Sequence, residues 1–205
     1  MLDNKGFDLW ADRYDESVEI TEEEKRYPFA GYGEVLGEIF AIVMSKPAAA
    51  VLDLGFGTAV LTEKLYAHGC KICGQDFSER MIELAREKMP EALLCQGDFS
   101  RGLAEPLRAR RYDFIIATYA LHHLTDERKE SLIRELLGLL RDGGKLLIGD
   151  VAFKNRAALE ACRAEAGDEW DDEEIYFVAD EWKKTFPGFR FEPLSSCAGV
   201  LTLEK

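Results

Sequence analysis

Positive charge is what this sequence has least of. Lys and Arg number 26 against 39 Asp and Glu, a formal net charge of −13. Such a surface repels phosphate backbones and anionic membranes, so neither nucleic acid nor membrane is expected as a partner. No basic cluster offsets the deficit; the nearest, Arg108 to Arg111, is short and broken by Ala109. Long apolar runs are missing too, since none approaches the roughly 20 residues of a membrane span. Asp3, Lys5, Asp8 and Asp12 interrupt the stretch where a signal peptide would need an apolar segment. The five cysteines are an odd number, several of them within predicted strands, and read as reduced thiols of a cytoplasmic protein. Cys70-Lys-Ile-Cys73 has CxxC spacing, but no second pair of Cys or His accompanies it. It also enters a strand instead of opening a helix, so neither a redox nor a metal role is expected.

What is present is an alternation of short apolar runs with amphipathic stretches. "AAVLDLG" (49–55), "KICGQD" (71–76), "ALLCQGD" (92–98), "YDFIIATYA" (112–120) and "KLLIGDV" (145–151) read as buried strands. Helices are expected at 58–69, closed by Gly69, at 78–89, capped by Ser78, and at a short segment over 101–109. A longer one follows Asp126, with Leu132, Ile133, Leu136, Leu137 and Leu140 on one stripe and Gly143-Gly144 at its end. This order predicts an α/β, doubly wound, mostly parallel sheet of seven strands. The last two strands, near 189–195 and 198–205, are joined too tightly for a parallel crossover and should pair antiparallel. There is no repeat and no linker. A single domain is expected, with N-terminal helices over 1–48 as a lid, a ligand-binding core over 49–151, and substrate-side helices plus the terminal hairpin over 152–205. The helical part of that last segment should run from about 155 to 186.

Ligands of such sheets bind beyond the carboxyl ends of the strands. Four strand ends carry suggestive residues. Asp53, Gly55 and Gly57 end the first, where missing Cβ atoms let the backbone approach a ligand. Asp76 ends the second, about 20 residues on, where an acid can accept from ribose hydroxyls; the plainer alternative is a helix-capping acid before Ser78. Asp98 and Phe99 end the third, suited to an adenine amino group and ring face, or to an ordinary turn and core. Thr118 ends the fourth and leads to His122 and His123. Two phosphate motifs are lacking: no G-x-x-x-x-G-K-[ST] occurs, and G-x-G-x-x-G fails at Val60. With no Lys or Arg in the loop, a nucleoside without a pyrophosphate remains.

In order and spacing, these segments resemble the class I S-adenosylmethionine-dependent methyltransferases, in particular the UbiE-like small-molecule group. "VLDLGFGTAVLTEKL" is similar to that family's first motif, with Ala59 in place of its third glycine, and "GQDFSERMIELAREK", "CQGDF", "YDFIIATYALHHLTD" and "LLRDGGKLLI" resemble the segments that follow. "FDLWADRYDESV" is similar to its N-terminal lid helix. The resemblance implies a cofactor site of Asp53, Gly55, Gly57, Asp76, Phe77, Met81, Asp98, Phe99 and Thr118, with Tyr14, and Trp10 beside it, on the lid. Gly55 and Gly57 would face the methionyl part and sugar, and Asp53 would order the loop or reach the cofactor's ammonium. Tyr27 and Tyr32 are further aromatic candidates on the acceptor side. His122 and His123 are the candidate catalytic residues, since an imidazole can remove a proton from an acceptor. The implied activity is methyl transfer from S-adenosylmethionine, leaving S-adenosylhomocysteine, to a small-molecule acceptor. A monomer or homodimer is expected, with no metal. The alternatives left open are an NAD(P)-dependent oxidoreductase and a non-catalytic nucleoside-binding module.

Overall fold

The computed structural model describes residues 26–205. The expected lid helix, with Phe7, Trp10 and Tyr14, lies outside the described residues. Among the described residues the first helix is α1 (Tyr32–Met44), followed by β1 (Ala50–Leu54), α2 (Val60–Ala67), β2 (Lys71–Asp76), α3 (Glu79–Lys88), β3 (Leu93–Gln96), α4 (Glu105–Arg108) and β4 (Tyr112–Thr118). Then come α5 (Asp126–Leu139), β5 (Leu140–Phe153), α6 (Arg156–Ala166), β6 (Phe177–Val178), α7 (Ala179–Thr185), β7 (Arg190–Pro193) and β8 (Ala198–Glu204). No helix among them is long and apolar enough to cross a membrane.

Strand alternation builds the layers. Val51, Ile116 and Leu147 face one core, shared with Val35 and Ile39 of α1, Leu61 of α2, Ile82 of α3 and Leu159 of α6. Their neighbours Leu52, Ile115 and Leu146 face the other core, with Leu132, Ile133 and Leu136 of α5 and Trp182 of α7. Strands with apolar residues on both faces need helices on both faces, which the sequence supplies. The sheet order is β3-β2-β1-β4-β5-β8-β7, with β6 beside β5. The chain runs outward from β1 through β2 to β3, then returns to β4 on the other side of β1. That reversal opens a crevice at the carboxyl ends of β1 and β4. At the opposite end, buried Asp113 accepts from Ala50 N (2.8 Å), Lys46 Nζ (2.6 Å) and Arg141 Nη1 (2.7 Å), tying the starts of β1 and β4 together.

The helices around β2 form as expected. Ser78 Oγ accepts from Met81 N at 3.1 Å and caps α3. The terminal hairpin is antiparallel, and β8 also pairs antiparallel with β5. Three details differ from the sequence reading. The 101–109 helix is split into a 3₁₀ turn at Phe99–Arg101 and α4, with Gly102 between. Helix α5 stops at Leu139, before Gly143, because fully buried Leu140 is already paired with Tyr112 of β4. The pairing then skips to Phe114 with Lys145, so residues 141–144 bulge from the strand. Last, the 155–186 region is not continuously helical. Phe177 and Val178 bury their side chains as a two-residue strand beside Ala152 and Phe153, as aromatic and β-branched residues favour. This short strand joins the seven expected ones as an eighth.

Candidate active site

The loop after β1 turns through two left-handed glycines, Gly55 (φ +68°) and Gly57 (φ +52°). They serve different purposes. A Cβ on Gly55 would stand 2.6 Å from Ala120 Cβ and 3.4 Å from Phe99 Cε1, so the ends of β3 and β4 close directly over it. A Cβ on Gly57 would meet only open space. The loop is held by Asp76, whose Oδ2 accepts from Gly57 N at 2.9 Å and whose Oδ1 accepts from Ser78 N at 2.9 Å. The acid thus both caps the turn into α3 and borders the crevice. At the end of β3, Asp98 Oδ1 accepts from Ser100 N (2.9 Å) while Oδ2 pairs with Arg101 Nε at 3.3 Å.

These strand ends surround one cavity of about 820 Å³. Gly55, Gly57, Asp76, Phe77, Met81, Asp98, Phe99, Thr118, His122 and His123 all line it. Tyr14 lies outside the described residues. Of the expected site residues that the structure describes, one is not brought there. Asp53 lies buried beneath the loop, on the α2 side of the sheet, where it accepts a hydrogen bond from the Thr62 hydroxyl; its Oδ1 is buried without a hydrogen-bond partner. Burial, with Asp76 nearby, pushes its carboxyl up to about 7 against the pull of Thr62. Ala59 does not line the cavity either. Its methyl is fully buried in the α2-side core, and it sits at the N-cap of α2 with φ +63°, a left-handed conformation that costs a non-glycine residue.

The far wall of the cavity gathers aromatic and titratable side chains. Tyr27, Phe29, Tyr32 and Tyr119 form an aromatic face, with Tyr32 and Tyr119 ring centroids 5.0 Å apart. Tyr119 itself sits at φ +48°, a strained position of the kind that clusters at functional sites. Beside it His122 is buried, its Nδ1 2.6 Å from Asp150 Oδ1 and its Nε2 3.4 Å from Glu174 Oε1. Burial alone would lower the His122 pKa, but the two carboxylates outweigh it and hold the imidazole above its ordinary value. His123 goes the other way: burial and the neighbouring His122 charge bring it down to about 4. Glu174 is raised by burial, opposed by His122 and by Tyr176, whose hydroxyl donates to Oε2 at 2.7 Å. Tyr176 in turn shares a short hydrogen bond with the Tyr27 hydroxyl. Lys129, also fully buried, donates to Asp126 Oδ1 (3.2 Å) and to the Ile175 carbonyl, fixing the segment that carries Glu174.

A sequence profile for a methyltransferase domain matches residues 51–144. A Geobacillus protein named as an uncharacterized methyltransferase is 42% identical over 161 residues, which is 78% of this chain and 72% of that protein. The chain belongs to the methyltransferase-domain family. A relative from Geobacillus thermodenitrificans, named likewise, is 37% identical over 193 residues, 90% of the methyltransferase chain and 86% of its own. Among solved structures, magnesium protoporphyrin IX methyltransferase from Synechocystis, with bound S-adenosylhomocysteine, aligns with a TM-score of 0.65 at 19% identity, covering 85% and 83% of the two chains. The shared fold is the class I methyltransferase architecture that the motifs resemble, and membership of the methyltransferase family sets an NAD(P)-dependent oxidoreductase aside.

The residues present fit S-adenosylmethionine as cofactor. The methyltransferase offers open space at Gly57, a cavity-lining carboxylate at Asp76 able to accept from hydroxyls, and an aromatic ring at Phe99, with no cation in the loop to call for phosphate. Three residues of the site escape the sequence reading. Asp150 lies near the carboxyl end of the fifth strand, three residues before Phe153 and after the apolar run "LLIG", a signal of the same kind as the other strand-end acids. Glu174 sits in the acidic run "DEWDDEEIY" among five other acids, and nothing in the sequence singles it out. Tyr176 depends on Glu174 for its meaning.

Proposed function

We propose that the enzyme binds S-adenosylmethionine along the β1–β4 strand ends and passes its methyl group to a small molecule held against the His122, His123 and tyrosine wall. The carrying observation is that one cavity joins Gly57, Asp76 and Phe99 on one side to His123, Glu174 and Tyr27 on the other. When bound, the cofactor would supply a methyl carbon activated by its sulfonium, open to in-line attack by an acceptor lone pair with the neutral thioether of S-adenosylhomocysteine as leaving group.

The remaining work belongs to the chain. Gly57 leaves room for the methionyl part and the sugar, and Asp76 accepts from the ribose hydroxyls while pinning the loop. Phe99 and Met81 pack on the base, and Asp98 accepts from its amino group. On the acceptor side the aromatic face excludes water and fixes direction; alignment of this kind accounts for several kcal/mol of barrier on its own. His123 presents a cavity-facing imidazole to the acceptor, and His122 is held in place by Asp150. The small-molecule reading is supported by a volume within the ~300–1,000 Å³ range of enclosed small-ligand sites, and by the acidic surface, which disfavours nucleic acid.

Calorimetric titration with S-adenosylhomocysteine, followed by a panel of small oxygen, nitrogen and sulfur acceptors assayed for S-adenosylhomocysteine release, tests the reading. Failure to bind the demethylated cofactor refutes it. Tight binding with no turnover on any acceptor would instead make the chain a nucleoside-binding module.

A further inference from the structure

His122 and His123 are neighbours in the sequence and Glu174 is 51 positions beyond them, yet the fold brings one ligand atom from each within 4.8 Å of the others. They are the one such group of His, Cys and acid residues among the described residues. We infer that these three side chains form a divalent-cation site, of the zinc class, in the acceptor half of the cavity.

Two imidazoles and a carboxylate are a donor set that suits zinc and its neighbours, and three protein ligands leave a fourth position for water or substrate. The spacing is close to what a tetrahedral centre needs. His122 Nε2 and Glu174 Oε1 are 3.4 Å apart, near the separation of two ligands each about 2.0–2.1 Å from one ion. His123 Nδ1 is 4.0 Å from the same oxygen and has under about 1 Å to travel. The surroundings are those of a supported metal ligand set. Asp150 holds His122 Nδ1 at 2.6 Å, which orients Nε2 toward the cavity, and the Tyr176 hydroxyl holds the second oxygen of Glu174 at 2.7 Å. Such outer partners fix the tautomer and direction of ligands. Charge also balances, because a dication would neutralise Asp150 and Glu174, while the nearby ammonium of Lys129 is taken up by Asp126 and the Ile175 carbonyl. Both His123 and Glu174 border the cavity, so the ion has an entry path and its open position faces the acceptor.

This departs from the sequence expectation of no metal. It rests on the proposed methyl transfer only in placing an acceptor nearby, and it narrows that acceptor to one presenting a lone-pair atom, oxygen, nitrogen or sulfur, able to ligate the ion. The alternative for the same contacts is a proton shared between His122 and Glu174.

The test uses the intact protein, stripped of metal by a chelator, titrated with Co(II) without cofactor. One equivalent should bind with visible d–d absorption and no near-ultraviolet thiolate charge-transfer band. Glu174→Gln and His123→Ala should each weaken Co(II), and Zn(II) in competition, by at least about tenfold, the smaller effect seen for loss of an outer-shell partner. Their affinity for S-adenosylhomocysteine should be unchanged, which shows that the fold survives. Cys73→Ser should bind Co(II) like the parent. Absence of saturable binding in the parent overturns the inference, and so does binding that both ligand variants leave intact. A thiolate band lost in Cys73→Ser overturns it as well, by moving the ion to the CxxC pair. Because Co(II) and S-adenosylhomocysteine are titrated separately, the metal site and the cofactor site stand or fall independently.

Discussion

Replacing Asp53 by Asn should make the protein more stable at pH 8 but not at pH 4. Asp53 is fully buried, spends one oxygen on Thr62 and leaves the other unpartnered, and its carboxyl is pushed up to about 7. In the unfolded chain it titrates near the ordinary value of about 3.9. A group whose folded pKa is raised contributes stability that is fully present below the unfolded value and is lost as pH rises through the folded one. Between those limits the native state binds one proton more than the unfolded state, so stability falls by about 1.36 kcal/mol per pH unit. The whole window spans roughly 3 units, or about 4 kcal/mol at most. The acidic pI near 4.8 makes the lower end prone to precipitation, so the useful range is roughly pH 5.5 to 8.5. There the parent should lose about 2 kcal/mol relative to Asp53→Asn, nearly all of it below about pH 7.5. Urea denaturation of both proteins at half-unit steps measures this difference directly. Asn keeps an oxygen for Thr62 and carries no charge, so its own curve lacks the term. A stability gap that stays flat across the range would show that Asp53 is ionised at little cost, and the argument from its burial would be wrong.

The loop glycines should separate cleanly. Gly55→Ala combines a left-handed penalty with a 2.6 Å clash against Ala120, and should cost about 2–4 kcal/mol in urea denaturation. Gly57→Ala meets no neighbour and should cost about 1 kcal/mol, yet its methyl enters the cavity and should weaken S-adenosylhomocysteine in calorimetry far more than it weakens the fold. Asp76→Ala removes a carboxylate that would hold the ribose and does hold Gly57, and should weaken S-adenosylhomocysteine by about 1.5–3 kcal/mol; unchanged affinity would place the ribose elsewhere. Ala59→Gly relieves about 1–2 kcal/mol of left-handed strain. It also loses roughly 0.8 kcal/mol of methyl burial and frees the unfolded chain by about 0.4–1 kcal/mol, so thermal unfolding should shift little and cofactor affinity not at all.

The cofactor half of the site is legible because its signals are local. A glycine loop, a strand-end acid about 20 residues later and a third acid beside an aromatic ring each announce themselves within a few residues. The parallel order of the strands then brings them together with no further information. Ser78 shows the same economy, since a cap needs only the three residues that follow it. Where the reading fails, a longer-range demand decides. Leu140 leaves α5 early because Tyr112, 28 positions away, needs a partner in β4's pairing. Phe177 and Val178 become a strand because the end of β5 offers an open edge that no local pattern reveals.

The acceptor half follows a different rule, which explains why family and chemistry part company here. His122 is visible in sequence, but its behaviour is set by Asp150, 28 positions on, and by Glu174, 52 positions on, and neither is close to it in the chain. Two adjacent histidines that look equivalent end with opposite shifts, His122 above its ordinary value and His123 down to about 4, because only the first lies between two carboxylates. Glu174 is singled out from the acids around it by Tyr176, and Tyr176 by Tyr27 from before the first described helix. Glu174, Tyr176 and Tyr27 all come from segments outside residues 49–151. Those segments are free to vary without disturbing the glycine loop or Asp76, so the cofactor and the methyl-transfer class can be inherited while the acceptor changes. On the proposed reading, the identity of the acceptor is to be sought in the Glu174–Tyr176–Tyr27 line that meets His122, and not in the motifs that reveal the family.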